Sequence, residues 1–85
     1  MTKTITVRYF ASIREAMGTG EETWATTAPT VAALRQELAE RSAQAALALA
    51  EDQPVRLALN QTMCPPDAPI APGDEVAFFP PVTGG

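Results

Sequence analysis

From Thr4 to Phe10 apolar and polar residues alternate, with Ile5, Val7 and Tyr9 on one side and Thr6, Arg8 and Phe10 on the other. A period of two in β-branched and aromatic residues predicts a strand. Phe10 is the exception on the polar side. Ser12 followed by Glu15 matches a capping box. Phe10, Ile13 and Met17 are spaced for one helical face, and Gly18 suits the residue just past a helix end, so a short helix is expected here. The Gly18-Thr19-Gly20 turn leads into Glu22 to Thr27, a second strand expected to pair with the first, with Trp24 its only large residue. Pro29-Thr30 then opens the main helix, with Thr30 as N-cap. Val31, Leu34 and Leu38 form its buried stripe, and the helix is expected to run to about Arg41. Glu37 and Arg41 would pair at i,i+4 on its solvent side.

The stretch from Ala43 to Ala50 is ambiguous. Its alanines favour a helix, whereas Leu47 and Leu49 alternate as in a strand; a short helical turn or packed loop is expected. Val55, Leu57 and Leu59 alternate with Arg56, Ala58 and Asn60, which predicts a third strand. Asn60-Gln61 is a turn, and Thr62-Met63-Cys64 a short return strand. Pro65, Pro66, Pro69 and Pro72 exclude regular structure as far as the Pro72-Gly73-Asp74 turn. The last strand runs from Glu75 to Phe79, with Val76 and Phe78 pointing one way and Ala77 and Phe79 the other. Pro80-Pro81 ends it, because neither can donate to a ladder. One good helix among five strands predicts an α+β domain, a mixed sheet packed on one main helix. Residues 1–81 form this domain and 82–85 a protruding tail, with no repeat and no second domain.

Composition narrows the function. The chain has 85 residues, a single cysteine and no histidine. An internal disulfide and a zinc site are excluded by the cysteine count. The commonest metal ligand and general base is missing, and with it any Ser-His or Cys-His pair. No metal site is expected. Six basic residues against ten acidic ones leave a net charge of −4. Polyanion binding needs a basic stripe, so neither nucleic acid nor an anionic membrane is an expected partner. No apolar run approaches the ~18 residues of a membrane span. A free cysteine without a signal-peptide pattern at the N-terminus leads to the expectation of a cytoplasmic protein. So few catalytic side chains suit a carrier, a modifier or a subunit better than a self-sufficient enzyme.

The tail is the informative segment. Two terminal glycines arise by chance at roughly 0.5%, from a glycine background of ~7%, and their context adds to this. A strand and two prolines aim Val82-Thr83-Gly84-Gly85 away from the sheet, and these residues carry no charged side chain. Four residues reach ~13 Å when extended, and the prolines favour an extended, stiff exit. Without a Cβ, Gly84-Gly85 is the thinnest rod a chain can present. It can thread a narrow channel and offer the α-carboxylate of Gly85 to an active site in another protein.

Ile5-Thr6-Val7-Arg8-Tyr9-Phe10-Ala11 with Arg14-Glu15, then Leu59-Asn60-Gln61-Thr62, then Gly73 through Phe78-Phe79-Pro80-Pro81-Val82-Thr83-Gly84-Gly85, resembles the family of small sulfur-carrier subunits of molybdopterin synthase. The likeness covers nearly the whole chain, and the Phe-Phe-Pro-Pro lead-in to Gly-Gly is its most specific part. It departs around Glu21-Glu22, in the alanine-rich stretch and in the prolines after Cys64. The resemblance implies a ubiquitin-like β-grasp fold. It implies that a ubiquitin-activating-type adenylyltransferase uses ATP to adenylate Gly85, which then becomes a thiocarboxylate. No cofactor would be permanently bound. The loaded tail would enter the large synthase subunit, in a heterotetramer, and give sulfur to the cyclic pyranopterin precursor of molybdopterin. Partner contacts carried over by position are Phe10, Arg14, Met63, Phe79, Pro80, Pro81, Val82 and Thr83.

Other readings attach to the same residues. Cys64 as a persulfide relay weighs less than Cys64 as a small, partly buried residue, because nothing near it in sequence would depress its pKa. Arg14-Glu15 fits a partner contact and a solvated helix face equally well. Glu21-Glu22 and Asp74-Glu75 read as a charged turn and a strand end. Phe10 and Phe79 point outward by parity and, with Met63, would form an apolar patch of the kind that marks interfaces. A carrier for thiamine or cysteine synthesis, a lysine-conjugating modifier with Lys3 its only lysine, and a passive binding domain remain alternatives.

Overall fold

The computed structural model describes residues 2–50 and 52–81. Among them the chain forms β1 (Lys3–Tyr9), α1 (Ala11–Met17), β2 (Glu21–Thr26), α2 (Val31–Ala39), α3 (Ala43–Leu49), β3 (Arg56–Leu59), β4 (Thr62–Met63) and β5 (Glu75–Phe79). The strands make one sheet in the order β2-β1-β5-β3-β4. β1 and β5 run parallel at its centre, and every other pairing is antiparallel. First and last strands side by side, with the helices on one face, are the ubiquitin-like β-grasp arrangement.

The core follows from strand parity and helical spacing. Ile5, Val7 and Tyr9 of β1, Leu57 of β3, and Val76 and Phe78 of β5 face Val31, Leu34 and Leu38 of α2. Burying each aliphatic side chain is worth about 1.5–3 kcal/mol. Thr30 caps α2 as expected, its hydroxyl accepting from the Ala33 N–H at 3.2 Å.

Three helices cover the sheet among the described residues, the expected short and main helices and a third, and four local expectations are corrected. Residues Ala43–Leu49 form a two-turn helix, capped by the Ser42 hydroxyl, which accepts from the Ala45 N–H at 3.0 Å. Arg35 donates to the Leu49 and Ala50 carbonyls and so satisfies acceptors at the other end. Residues two apart on a helix point about 200° apart, given 3.6 residues per turn. Leu47 at 74% exposure and Leu49 at 1% therefore alternate on a helix as they would on a strand.

The second correction concerns α1. Its N-cap is Phe10, whose carbonyl accepts from the Ile13 and Arg14 N–H groups, and no side chain caps it. Ser12 already lies inside the first turn, so no capping box forms. Ala11, the first residue of the helix, is held at φ +51°. Third, Phe10 leaves the helical face on which Ile13 is buried, and turns to the outer side of the sheet. Gly18 ends the helix in the left-handed conformation, at φ +79°.

The fourth correction is the Glu37–Arg41 pair. α2 stops at Ala39, and Glu37 instead accepts from the Trp24 indole at 2.7 Å and the Thr26 hydroxyl at 3.0 Å. The half-buried Trp24 indole and the buried Thr26 hydroxyl need an acceptor more than Arg41 does. Arg41, past the helix end, lies over the Trp24 ring at 4.7 Å and pairs with Glu22. Asn60 and Gln61 both take positive φ in the tight turn between β3 and β4.

Candidate docking surface at the end of the central strand

β5 carries the chain out of the middle of the sheet. Its last residue, Phe79, meets Phe10 at the end of β1, their rings edge to face with centroids 6.2 Å apart. The Phe10 N–H donates to the Phe78 carbonyl at 3.2 Å, which holds the two strand ends together. Pro80 and Pro81 follow directly. Phe10, Ala11, Phe79, Pro80 and Pro81 line an open apolar depression of about 470 Å³.

A second depression of about 390 Å³ adjoins it, with Phe10 and Phe79 in both linings. Its floor is Ala58 and Ala77, which are directly paired across β3 and β5. They are 6% and 7% exposed although no helix covers this face, because Arg8, Gln61, Met63, Glu75 and the two phenylalanines stand higher around them. Phe10 and Met63 are 41% and 55% exposed. A larger recess of about 660 Å³ lies between α2 and α3, remote from the strand exit.

The structure thus brings Phe10, Met63, Phe79, Pro80 and Pro81 to one continuous surface. Arg14 does not line it. Arg14 is exposed on α1, and its side chain lies across Gly20, where a Cβ would come 3.1 Å from the Arg14 Nε. Val82, Thr83, Gly84 and Gly85 lie outside the described residues. Ala58 and Ala77 as a floor, and Arg8 as part of the wall, were missed by sequence reasoning, although parity with Phe79 places all three on the outer face.

Beneath the surface lie a ring stack and a hydrogen-bonded chain of side chains. Tyr9 stacks on Phe78, centroids 6.3 Å apart and rings 17° from parallel. The Tyr9 hydroxyl donates to Glu22 at 2.6 Å, and Glu22 also takes the Arg41 guanidinium. Burial first, and then the hydrogen bond to Glu22, push the Tyr9 phenol well above its usual range. The Glu22 hydrogen bond raises Arg41 in turn. Cys64 is partly buried, and burial pushes its thiol up, away from the reactive thiolate. Among the described residues no cluster of three or more His, Cys, Asp or Glu is placed to hold a metal ion, and no helix is long and apolar enough to cross a membrane.

Known proteins resemble this chain in sequence and in fold. The chain is 53% identical over 81 residues to the molybdopterin synthase sulfur carrier subunit of Escherichia coli (strain K12), covering 95% of this chain and 99% of that protein. The solution structure of the Haloferax volcanii HVO 2177 protein superposes with a TM-score of 0.83 at 29% identity, covering 99% of this chain and 88% of that one. A chain in the protein–protein complex of subunits 1 and 2 of molybdopterin-converting factor from Helicobacter pylori 26695 matches with a TM-score of 0.61 at 28% identity, covering 96% and 99%. Residues 7–85 match the family model described as the ThiS family, and with sequence, fold and relatives in agreement the chain belongs to that family.

Proposed function

We propose that this chain is the sulfur carrier subunit of a molybdopterin synthase, and that its cargo rides on Gly85. The observation that carries this reading is the end of β5. The central strand runs without a linker into Pro80-Pro81 on an apolar docking surface, and Val82-Thr83-Gly84-Gly85 follow directly in the sequence, so a body that covers this surface lies within a few residues of Gly85. The 53% identity to a sulfur carrier subunit across 95% of the chain supports it.

An ionised carboxylate is a poor electrophile. In the proposed cycle the Gly85 carboxylate attacks the α-phosphorus of ATP on a separate ubiquitin-activating-type adenylyltransferase and releases pyrophosphate. A sulfur nucleophile then displaces AMP and leaves a thiocarboxylate. The loaded tail enters the large synthase subunit, in a heterotetramer in the cytoplasm. There the thiocarboxylate sulfur bonds to an oxygen-bearing carbon of the cyclic pyranopterin precursor, and the C–O bond on that carbon breaks as the oxygen leaves with its electron pair. Hydrolysis of the resulting acyl link returns the carboxylate and leaves sulfur on the product. The catalytic side chains belong to the large subunit, which agrees with a carrier that has no histidine.

The test is an intact mass after incubation with activating enzyme, ATP and a sulfur source. Replacement of one oxygen by one sulfur at the C-terminus is the expected result. Deletion of Gly85, or one added residue, should abolish loading with the melting temperature unchanged, since one residue alters reach by ~3.3–3.6 Å. A folded protein that stays unloaded, or that is recovered on lysines instead, would sink the reading.

A further inference from the structure

Two arginines flank the aromatic patch, one on each side, and strand register sets both. Arg8 lies opposite Ala77 across β1 and β5, and Arg56 opposite Phe79 across β3 and β5. Both therefore rise from the outer face beside the docking surface. The Arg8 guanidinium carbon stands 5.4 Å from the centre of the Phe10 ring. Its Nε is closed off from solvent and has no hydrogen-bond acceptor, the Glu21 carboxylate being 3.6 Å away. Arg56 is exposed, and no carboxylate among the described residues pairs with it. Arg35 and Arg41 are held by hydrogen bonds within the fold, whereas Arg8 has only its long ion pair with Glu21 and keeps 38% of its side chain exposed. In a chain of net charge −4, the strand exit is thus an apolar spot with a cation on either side, and Glu75, at the far end of the same depression from Phe79 along β5, is the carboxylate in its lining.

We propose that Arg8 and Arg56 select the docking partner: the surface that covers this patch presents an apolar side chain to the Ala58–Ala77 floor and carboxylates to both arginines. The proposal rests on the carrier reading above and adds the charge of the partner's contact surface. The patch is continuous with Pro80-Pro81, so the body that encloses the tail also covers the patch. Covering it strips water from both guanidinium groups. A cation that loses its water without gaining a counter-charge opposes binding strongly, so a partner without carboxylates here would be rejected. Opposite charge at the rim also speeds encounter. A second copy of this chain suits the patch less well, since it brings its own net charge of −4 and the same two arginines.

The probe is the purified large subunit of molybdopterin synthase, titrated with the full chain at several salt concentrations. Arg8→Gln with Arg56→Gln should weaken binding about tenfold at low ionic strength, chiefly through slower association. The loss should shrink to about twofold near 1 M salt, where the screening length is about 3 Å. Arg8→Lys with Arg56→Lys should keep most of the affinity, and melting temperatures should barely move, Arg56 being exposed and the Arg8–Glu21 pair being of the kind worth about 0–1 kcal/mol. Phe79→Ala should lose affinity equally at every salt concentration. Wild-type binding with an unchanged affinity and salt slope in the double Gln variant would overturn the proposal and leave the carrier reading standing. Tighter binding by that variant would do the same. Failure of the wild type to bind at all would overturn both. A dimer of the chain alone that Phe79→Ala abolishes would assign the patch to self-pairing and overturn the proposal.

Discussion

The two faces of β5 differ by one residue of parity and by everything that covers them. Val76 and Phe78 are fully buried under the helices. Ala77 is nearly as inaccessible, yet nothing is packed over it; it is the floor of a depression whose walls are Arg8, Phe10 and Phe79. The inner face spends its apolar area on the fold. The outer face keeps its aromatic area at the rim, half exposed and available. Low exposure therefore means two different things on one strand, and only the neighbours tell them apart.

Substitutions should separate the two faces. Leu34→Ala, on the helical side, should destabilise the fold by about 2–5 kcal/mol through the cavity it leaves, a loss measurable by chemical denaturation. Affinity for a partner, measured where the variant is still folded, should hold. Phe79→Ala should behave in the opposite way. Covering a Phe side chain fully is worth roughly 1.5–3 kcal/mol, so partner affinity should fall about tenfold or more, while the melt changes little. A large loss of stability with intact affinity would mean that Phe79 belongs functionally to the core.

The third prediction concerns the join between the faces. The Tyr9 pKa is raised in the folded state, so its contribution is fully present below the unfolded value of about 10. It is lost as pH rises above that value towards the folded pKa, because the unfolded chain gives up its proton first. Wild-type stability should therefore drop through the alkaline range more steeply than that of Tyr9→Phe. At neutral pH the Phe variant should be the less stable, since hydrogen bonds to charged groups contribute about 1.5–3 kcal/mol. Parallel pH profiles would refute this. The smallest effect should come from Ala11→Gly. Ala11 is held at φ +51°, where glycine has no Cβ penalty. A gain of up to about 1 kcal/mol in the melt is expected, with partner affinity as the check that Phe10 keeps its place.

What was legible in the sequence was what short-range periodicity encodes. Alternation in β1, β3 and β5 placed Phe10 and Phe79 outward, and Thr30 marked the start of α2. The misreadings share a cause. Glu37 has Arg41 four residues away, but its donors come from Trp24 and Thr26 on another element. Glu22 looked like part of a charged turn and is the acceptor for Tyr9 and Arg41. Ala58 and Ala77 carry no local signal of burial, because the residues that shelter them lie across strands. Ser12 and Glu15 have the spacing of a capping box, and the sheet overrules it by drawing Phe10 into the cap position. Local pattern specifies elements; the partners of a polar side chain are chosen by topology.

The parallel pairing of β1 with β5 also sets an order of events in time. A ribosome makes β1 first and β5 long afterwards, yet the two must lie side by side in the middle of the sheet. Until β5 emerges, β1 has β2 on one flank and an open edge on the other, and β3 has only the two-residue β4. Such edges are sticky, and contacts between distant parts of a chain form slowly. A nascent chain cut off before residue 75 would hold two half-sheets with no strand to join them, and would go to the cell's proteases rather than into an assembly.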